Sequence, residues 1–484
     1  MYNVLIRPLR EQDALTSYNW RNDPVIWENT GRKPDRHITG QIETEWIRKV
    51  LAEGNSSRFA ILADNTYIGN IQITNILPGE EGEYHVFIGE KNYWGKGIAT
   101  LATWQLIRYA REGLNLKRLY LSVKPHNEAA VRVYQKCGFV KVSEEIKMVC
   151  DLSAVQIPTV SVFMMAYNHE DYIRQSVESI LYQKTDFDFD IVIGEDCSTD
   201  NTRSVLKTIT DEYPGKFRLL LHEKNMGPHA NQLAVFNACT GKYVAMCECD
   251  DYWIDPLKLK KQADYLEKHP ETGMVCTNYQ KYYQNAGKYI NNCFNSKKYR
   301  SQVAFSDYLL DMSSISTATV LIRNDIIRQY GTEIPEILRN GFIVGDTPLW
   351  LFAAAKSHIA VIPDETAVYR ILDNSACHFR SPEDHYKFVL KGSKMADYFY
   401  DRYGGNDPVL LERVERKKHK AALFHGYRSM NSIMAGESFR KLMTYGLSVK
   451  QKISAWLMLI GSYNKLLNRI AGVIIKVNKP ALTR

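Results

Sequence analysis

Three acidic residues stand together near the middle of the chain, directly after a predicted strand. Residues 243–247 form a short apolar run, and Glu248, Asp250 and Asp251 follow it at once. Carboxylates gathered in this way repel one another unless a cation lies among them. Oxygen ligands suit Mg²⁺ or Mn²⁺, and such an ion can also bridge the phosphates of a nucleotide. The cluster therefore indicates a metal-assisted nucleotide site, and the alternative is a solvated turn after a core strand.

A second stretch with chemical potential is the glycine loop of NYWGKGIATLATWQLIRYA, where Gly95, Gly97 and Ala99 open a predicted helix. Backbone N–H groups in such a loop can close on an anion, aided by the helix dipole. One glycine loop is weak evidence. Here it is followed by a predicted strand at 118–123 and by NEAAVRVYQKCGF at 127–139.

Alternating strands and helices are the elements that must position the acidic cluster. Residues 150–158 lose periodicity and end in proline, which predicts a domain boundary. Beyond it, predicted strands at 159–165 and 190–194 are each followed by polar residues and a helix. This pattern predicts an open parallel sheet, which binds ligands outside the carboxyl ends of its strands.

Length and composition favour a multidomain enzyme of a reducing compartment. The 484 residues suggest roughly three units, with 45% apolar and 24% charged residues as in soluble globular proteins. Nine cysteines without metal-type spacing argue against a disulfide framework. We expect no secretory signal, because a strand-like run begins at Val4, and no spanning helix. A cytoplasmic location follows from these expectations.

The basic character belongs to the last hundred residues. Over residues 385–484, Lys and Arg outnumber Asp and Glu by 13, whereas the remaining 384 residues have a net charge of −5. Apolar residues three and four apart form a predicted helical seam there, namely Ile453, Trp456, Ile460, Tyr463, Leu467, Ile470, Ile474 and Val477. Three interpretations stay open: packing on the chain's own body, pairing in a homo-oligomer, or contact with a membrane surface. We expect no nucleic-acid partner.

Over residues 3–148 these motifs resemble the GNAT acetyltransferases, closest to the ribosomal-protein and amino-sugar N-acetyltransferase branch, with Trp20-Arg21-Asn22 near the start. The resemblance implies that acetyl-CoA is the cofactor and that Asn127 contacts its pantetheine arm. Tyr134 would donate a proton to the departing thiolate. The loop that would cradle the cofactor pyrophosphate consists of Trp94, Gly95, Lys96, Gly97, Ile98 and Ala99.

Acetyl transfer to an amine also needs a base. Glu83 and His85, on the predicted strand before the loop, are the nearest candidates, although each could instead orient the substrate or serve the structure. Tyr134 has an alternative too, as a tyrosine that packs in the core.

The segments VSVFMMAYNHEDYI, IVIGEDCSTDNT, KNMGPHANQ and AMCECDDYWIDPLKLKKQ resemble a family 2 glycosyltransferase of GT-A type, over roughly residues 157–380 and in the family order. By this resemblance Tyr167 stacks on the base of a nucleotide-sugar and Asp196 bonds its edge. Asp250 and Asp251 would be the main metal ligands. The residues expected to bind the nucleotide-sugar are Tyr167, Asn168, Glu195, Asp196, Asn225, Glu248 and Asp250.

Sugar transfer with inversion needs a base for the acceptor hydroxyl, and a single carboxylate suffices because a metal-bound diphosphate leaves without protonation. Asp346, which opens an apolar helix, matches the family position of that base, and the alternative is a helix cap. Residues 368–370 and 375–378 resemble the returning loop, in which His378 would help to bind metal or diphosphate.

The fold class we expect is α/β, with a GNAT fold at 1–150, a GT-A open Rossmann-like sheet at 157–384 and a basic helical tail at 385–484. The expected function is bifunctional, in surface-polysaccharide synthesis. One domain would N-acetylate an amino sugar, and the other would move a sugar from a UDP- or dTDP-linked donor to a glycan or lipid-linked acceptor. Alternatively, the acetyltransferase domain modifies a protein amine or serves only for binding and assembly. The enzyme would be cytoplasmic, with peripheral contact at the inner face of the cytoplasmic membrane as an open alternative.

Overall fold

The structure is a computed structural model, and ten stretches of it are described. They are residues 2–30, 33–124, 127–143, 147–155, 159–294, 302–312, 315–342, 345–372, 382–464 and 467–471.

The first body is built on a seven-stranded sheet. Its strands are β1 (Val4–Pro8), β2 (Ser57–Ala63), β3 (Thr66–Leu77), β4 (Glu81–Ile88), β5 (Arg118–Ser122), β6 (Val140–Lys141) and β7 (Lys147–Asp151). Their order across the sheet is β1-β2-β3-β4-β5-β7-β6. Among the described residues of this sheet, only β4 and β5 are parallel neighbours, and they pair over Glu81–Glu83. Within the described residues, the rest of β4 pairs only with β3, so β4 and β5 separate beyond Glu83.

Five helices surround this sheet. They are α1 (Ala14–Arg21), α2 (Pro24–Thr30), α3 (Gly40–Leu51), α4 (Ile98–Arg108) and α5 (Glu128–Lys136). Helix α4 presents Ala102, Leu106 and Ile107 to the sheet, and all three are fully buried. It continues into a π-helical turn at Tyr109–Gly113. The packing of α4 against the sheet fixes the position of the glycine loop that precedes it.

The second body contains a ten-stranded mixed sheet. Its strands are β8 (Val160–Ala166), β9 (Phe189–Glu195), β10 (Phe217–Leu221), β11 (Tyr243–Met246), β12 (Tyr252–Trp253), β13 (Thr272–Tyr283), β14 (Lys288–Ile290), β15 (Gln302–Val303), β16 (Leu321–Arg323) and β17 (His358–Ile371). Eight of them lie in the order β10-β9-β8-β11-β16-β13-β17-β12, while β14 pairs with β13 and β15 with β17. The parallel part is β10-β9-β8-β11, as the alternation of elements predicts.

Helices cover both faces of this sheet. They are α6 (Ile173–Leu181), α7 (Thr202–Glu212), α8 (Pro228–Ala238), α9 (Lys258–Lys268), α10 (Phe305–Leu310), α11 (Asn324–Gly331), α12 (Ile334–Arg339) and α13 (Asp346–Lys356). The largest apolar cluster of the protein lies between them and the sheet, with Trp350 of α13 fully buried in it. Burial on both faces explains why the strands read as continuous apolar runs.

Further helices follow in the described residues, namely α14 (Pro382–Tyr403), α15 (Pro408–Ser429), α16 (Ser432–Met443) and α17 (Val449–Gly461). Phe399 of α14 and Val414 of α15 join the core of the second body. The end of α15 packs with α16 and α17 around Leu423, Leu442 and Met458. Across the described residues, none of the helices combines the length and apolarity that crossing a bilayer requires. The predicted fold class, with a helical end, is confirmed.

The two bodies pack directly on each other. Arg108 at the end of α4 forms a buried ion pair with Asp188 beside β9. Asn3 donates from Nδ2 to the carbonyl oxygen of Gln183 at 3.0 Å. Gly215 lies so close to the Gln105 carbonyl oxygen that a Cβ there would meet it at 2.1 Å. Two of these contacts involve Gln105 and Arg108, at the end of α4 that lies away from its glycine loop.

Candidate active sites

Three predicted site residues lie along one edge of the second sheet. Strands β9, β8 and β11 are parallel neighbours, so their carboxyl ends meet at the same edge. Tyr167, Asp196 and Glu248 follow these strands within two residues. Side chains far apart in sequence are therefore brought to one crevice.

The acidic loop, residues 247–251, is a turn and does not continue β11. Cys247 and Cys249 are buried, whereas Glu248 and Asp250 are partly exposed. Burial, followed by the carboxylates of Asp250 and Asp346, raises the pKa of Glu248 to about 8. The fold thus gathers acids from two distant parts of the sequence into one electrostatic environment.

Arg370 of β17 holds the acidic loop from outside. Its backbone N–H donates to Asp251 Oδ1 at 2.8 Å, and its Nε donates to the Asp250 carbonyl oxygen at 2.7 Å. The guanidinium carbon also lies within 6 Å of three ring centroids, those of Tyr172 (4.9 Å), Tyr252 (5.3 Å) and Tyr282 (5.6 Å). The sequence places Arg370 in the returning loop but assigns it no role. A buried, multiply bonded arginine fixes the shape of the loop on which the acids stand.

Asp251 is enclosed by protein. Its side chain is buried, its Oδ1 accepts the N–H of Arg370, and burial followed by the charge of Asp250 raises its pKa. Its assignment as a metal ligand stays a prediction, because at least one of its oxygens is engaged in holding β17.

The fit of a divalent ion rests on Glu248 and Asp250. In the described part of the chain, no three His, Cys, Asp or Glu side chains converge closely enough to enclose a metal. Mg²⁺ is commonly held by one or two carboxylates together with substrate phosphates. Glu248 and Asp250 offer hard oxygen ligands, and both are partly exposed. Neighbouring negative charges already help to raise the pKa of Glu248. The residues present therefore fit a Mg²⁺ or Mn²⁺ ion that is shared with a diphosphate.

Asp346 is the first residue of α13 and reaches the same crevice. Its Oδ2 accepts from the hydroxyl of Thr317 at 3.1 Å, and its Oδ1 accepts from the hydroxyl of Thr347 at 3.1 Å. The residue before it, Gly345, occupies the cap position. The carboxylate is thus oriented by two hydroxyl groups, close enough to Glu248 to raise the pKa of that residue.

Tyr167 and Asn168 form the loop after β8. Asn168 adopts a left-handed backbone conformation with φ of 58°, and its Oδ1 accepts the N–H of Thr199 at 2.9 Å. Its own N–H donates to Ser198 Oγ at 3.0 Å. These bonds tie the loops after β8 and β9 together. The Tyr167 ring remains exposed, which leaves it available for the predicted stacking on a base.

Glu195, at the end of β9, is fully buried. Its Oε1 accepts the N–H of Ser198 at 2.7 Å, and its Oε2 forms an ion pair with Arg203. Its contacts are therefore within the protein, and nucleotide binding by Glu195 stays a prediction.

Asp196 braces the loop before α8. Its two carboxylate oxygens accept the N–H groups of Met226 at 2.6 Å and Gly227 at 3.0 Å. Asn225 donates from Nδ2 to the Asp196 carbonyl oxygen at 3.0 Å. Asp196 is buried and both of its oxygens are engaged, so its predicted contact with a base stays a prediction.

His169 belongs to this crevice, although its place in the sequence assigns it no role. Its Nδ1 is buried without a hydrogen-bond partner among the described residues. Burial lowers its pKa, which the nearby carboxylates of Asp250 and Asp200 oppose. Its position directly after Asn168, at the end of a parallel strand, was the available signal. His378 lies outside the described residues.

The glycine loop of the first body, residues 94–99, is shaped by left-handed backbone at two positions. Gly95 has φ of 71° and Gly97 has φ of 76°, and both have open space where a Cβ would stand. Gly97 directly precedes α4. The loop therefore leaves open space at a helix N-terminus, and a side chain at either glycine would enter that space.

The other side chains of the loop turn toward protein. Trp94 donates from Nε1 to the carbonyl oxygen of Ile88 at 2.8 Å, and Lys96 donates from Nζ to Tyr2 Oη at 3.0 Å. Ile98 is buried, and the Ala99 carbonyl oxygen accepts from a threonine hydroxyl one turn later. Any anion in this loop would meet backbone N–H groups.

Tyr134 of α5 is buried beside the rings of Tyr84 and Phe139. Burial, with the thiol of Cys137, raises its pKa to about 12. A hydroxyl that stays protonated is suited to donate a proton, and the residue also fulfils its alternative role in the core.

Glu83 and His85 lie on one face of β4. Glu83 Oε2 accepts from Asn75 Nδ2 at 2.8 Å, and His85 Nε2 lies 2.9 Å from the hydroxyl of Thr74. The two side chains approach each other to 3.7 Å. Both are partly exposed near the point where β4 and β5 separate. The structure brings both base candidates together without distinguishing them.

Asn127 is the cap residue of α5, and its Oδ1 accepts the N–H of Ala130 at 3.1 Å. Its predicted contact with pantetheine stays a prediction. Three features of the first body are together suited to acetyl-CoA. The glycine loop offers an anion cradle, the separation of β4 from β5 offers a cleft with free backbone, and the Tyr134 hydroxyl offers a proton donor.

Residues 3–140 match the family described as acetyltransferase (GNAT) domain, and residues 161–331 match glycosyl transferase family 2. An uncharacterized protein of Mycobacterium tuberculosis (strain H37Rv) is 35% identical over 210 residues, which are 43% of this chain and 58% of that protein. A Bacillus subtilis protein named for glycosyl transfer in teichuronic acid biosynthesis, TuaG, is 33% identical over 109 residues, 22% of this chain and 42% of its own. The chain thus spans 58% of the length of the first of these relatives and 42% of the second.

Two solved structures are similar at low identity. S. aureus TarS 1-349 in complex with UDP-GlcNAc is 16% identical, with a TM-score of 0.43, over 64% of this chain and 82% of that one. Spermidine N-acetyltransferase from Vibrio cholerae, in complex with CoA and spermine, is 23% identical, with a TM-score of 0.29, over 31% of this chain and 96% of that one. The family matches confirm the two resemblances: this chain carries a GNAT acetyltransferase domain at 3–140 and a family 2 glycosyltransferase domain at 161–331.

Proposed function

We propose that the second body transfers a sugar, with inversion, from a UDP- or dTDP-linked donor to a hydroxyl group of a glycan or lipid-linked acceptor. The observation that carries this proposal is that Asp346 lies close enough to Glu248 for its charge to raise the pKa of that residue, which stands beside Asp250 at the carboxyl edge of the sheet. One carboxylate thus begins a helix, near the pair that suits a divalent ion. This is the arrangement that a base and a leaving diphosphate require.

In this reaction Asp346 accepts the proton of the acceptor hydroxyl. Its bonds to the hydroxyl groups of Thr317 and Thr347 orient the carboxylate before the acceptor arrives. Tyr167 holds the base, and Asp196 keeps the loop at 226–227 in place beside it. A Mg²⁺ or Mn²⁺ ion held by Glu248 and Asp250 would supply positive charge for the departing diphosphate. Arg370 keeps the acidic loop in the shape that this binding needs.

We propose that the first body acetylates an amine with acetyl-CoA as the cofactor. The backbone N–H groups of residues 94–99 bind the pyrophosphate, aided by the dipole of α4. Tyr134 gives its proton to the thiolate that leaves, and its raised pKa keeps that proton available at neutral pH. Glu83 or His85 accepts the proton of the amine, directly or through a water molecule.

Surface-polysaccharide synthesis is the pathway we propose for both reactions, in the cytoplasm. The support is the fusion of a sugar-transferring and an amine-acetylating domain in one chain, and the name of the relative TuaG, which refers to teichuronic acid. An amino sugar is then the amine, linked to a nucleotide before transfer. A protein amine is the competing substrate for the first body.

The two substrates are distinguished by following CoA release with purified enzyme. Nucleotide-linked amino sugars, amino-terminal peptides and buffer alone are compared at saturating acetyl-CoA. We expect turnover with an amino sugar nucleotide, and product that the second body consumes when Mn²⁺ is added. Turnover with peptides alone would assign the first body to proteins, and CoA binding without turnover on any amine would make it an assembly module.

A further inference from the structure

Helix α17 carries apolar residues on two opposite sides, and only one side is packed. Ala455 and Met458 are buried against α15 and α16. Val449, Ile453 and Trp456 are 73%, 54% and 53% exposed. These three, spaced four and three apart, line one stripe of the helix, and Ile460 continues it. The first described members of the predicted seam are therefore directed outward and not onto the protein's own body.

Lysines border this stripe on both sides. At about 100° per residue, Lys450 and Lys452 project to either flank of Val449 and Ile453. Both are exposed, and in the described part of the chain neither forms an ion pair with a carboxylate. Residues 438–484 contain nine Lys or Arg and neither Asp nor Glu. The exposed stripe thus lies within a region of purely positive charge.

The charge distribution argues against a second copy of the chain as the partner. Two α17 helices that met along this stripe would bring their flanking lysines together, and residues 438–484 offer no carboxylate to compensate. A surface with negative charge beside an apolar layer fits better. Aliphatic residues and tryptophan enter the boundary between headgroups and acyl chains, while lysines reach the phosphates.

We propose that α17 binds the surface of an anionic phospholipid membrane through Val449, Ile453 and Trp456, with Lys450 and Lys452 over the headgroups. The helix lies in the interface and does not cross the bilayer. Ser448 caps it and Gln451 closes the capping box, so the stripe is already formed before contact. The inference is independent of which sugar or amine the two domains use.

The test is sedimentation of the full-length protein with vesicles, which requires no enzymatic activity. We expect binding to vesicles of phosphatidylglycerol mixed with phosphatidylcholine at low salt, release at high salt, and no binding to phosphatidylcholine alone. Equal binding to both kinds of vesicle, or to neither, would overturn the proposal.

A matched pair of double variants isolates the stripe. Val449→Ser with Ile453→Ser should lower the vesicle partition coefficient by about tenfold or more, because two exposed apolar side chains are lost. Val409→Ser with Leu411→Ser removes two exposed aliphatic side chains of α15, which are 66% and 41% exposed, and should leave binding unchanged. Equal losses in the two variants would overturn the proposal.

The charges are tested separately. Lys450→Gln with Lys452→Gln should lower binding by roughly tenfold and flatten its dependence on salt. Light scattering on the same proteins without lipid reports the molecular mass. A mass that falls on changing Val449 and Ile453, together with no vesicle binding by the parent, would assign the stripe to contact between copies and overturn the membrane proposal.

Discussion

The loop before α4 and the acidic loop after β11 present charges of opposite sign to ligands of the same kind. Residues 94–99 offer backbone N–H groups at a helix N-terminus, around glycines with φ of 71° and 76°. Residues 247–251 offer carboxylates, and burial together with the neighbouring negative charges raises the pKa of Glu248 and of Asp251. In the proposed reactions each loop meets a diphosphate, which belongs to CoA in one case and to a nucleotide-sugar in the other.

The comparison shows two physical solutions to one problem. A backbone cradle attracts phosphate directly, and any side chain at its glycines would obstruct it. A carboxylate pair repels phosphate until a cation intervenes. Acetyl transfer by the first body should therefore be insensitive to chelators and sensitive to a side chain added at Gly95 or Gly97. Sugar transfer by the second body should show the opposite pattern, because it depends on a cation and not on a backbone cradle.

The largest expected effect is that of Asp250→Asn. The change removes one charged ligand of the proposed ion, so we expect sugar transfer to be abolished and donor binding to weaken, while acetyl transfer by the same preparation continues. The measurement is product formation with Mn²⁺ and after chelation. Asp211→Asn, at an exposed site on α7, is the control and should retain both activities. Near-normal sugar transfer by chelated Asp250→Asn would falsify the metal assignment.

The next effect is that of Asp346→Asn, which removes the base and keeps the shape of the side chain. We expect the rate of sugar transfer to fall by a factor on the order of 10²–10⁴ with little change in donor affinity. Thr317→Val deletes one orienting hydroxyl and should cost less, about tenfold or below. Loss of donor binding with a normal rate at saturation would show instead that Asp346 binds the donor.

In the first body, Tyr134→Phe tests the proton donor. The ring stays in the core, so acetyl-CoA should bind as before while turnover falls by a factor on the order of 10². Gly97→Val is the contrasting variant, because a β-branched residue at φ of 76° is strained and enters the cradle; it should lose cofactor binding itself. Calorimetric titration with CoA measures the cofactor affinity of both variants. Equal losses of affinity would leave Tyr134 without an acid role.

The smallest effect concerns stability. Lys258 of α9 is fully buried, bonded to Gln262 at 2.7 Å, and burial lowers its pKa to about 7. An unfolded lysine keeps its proton to about pH 10.4. Between these values the unfolded chain binds more protons, so this group makes the free energy of unfolding rise with pH, at roughly 1.4 kcal/mol per unit at most.

Lys258→Met should remove that contribution. The free energy of unfolding of the second body, measured in urea at pH 7 and 9, should then rise less with pH than in the parent. An unchanged slope would mean that Lys258 is not the group responsible. No matching change is expected in cofactor binding by the first body, to which Lys258 does not belong.

Much of both sites is encoded locally and could be predicted. Glycines before a helix and acids after an apolar strand are local patterns, and the phosphate loop and the acidic loop stand where these patterns place them. The alternation of strands and helices likewise predicts a parallel arrangement of β8, β9 and β11, which brings Tyr167 and Glu248 to one edge. Such features depend on the backbone of a few neighbouring residues, so the sequence is sufficient for them.

Only the tertiary structure decided which contacts form between side chains that are distant in sequence. Arg370 holds a loop about 120 residues away, and Asp346 shifts the pKa of Glu248, yet no periodicity links these positions. Asp196 has lone pairs occupied by Met226 and Gly227, which its motif does not indicate. These contacts form where the chain returns to the sheet edge, after long connections that local propensity does not describe.

The orientation of α17 is the clearest case of a feature that the tertiary structure decides. Apolar residues at three- and four-residue spacing predict a helix with a seam, and a helix is what forms at Val449–Gly461. The opposite side carries the small residues Ala455 and Gly461 and the flexible Met458, which allow close packing on α15 and α16. Because both sides are apolar, periodicity alone does not tell which one is buried. The shape of the neighbouring helices selects the side with small residues and leaves Ile453 and Trp456 exposed.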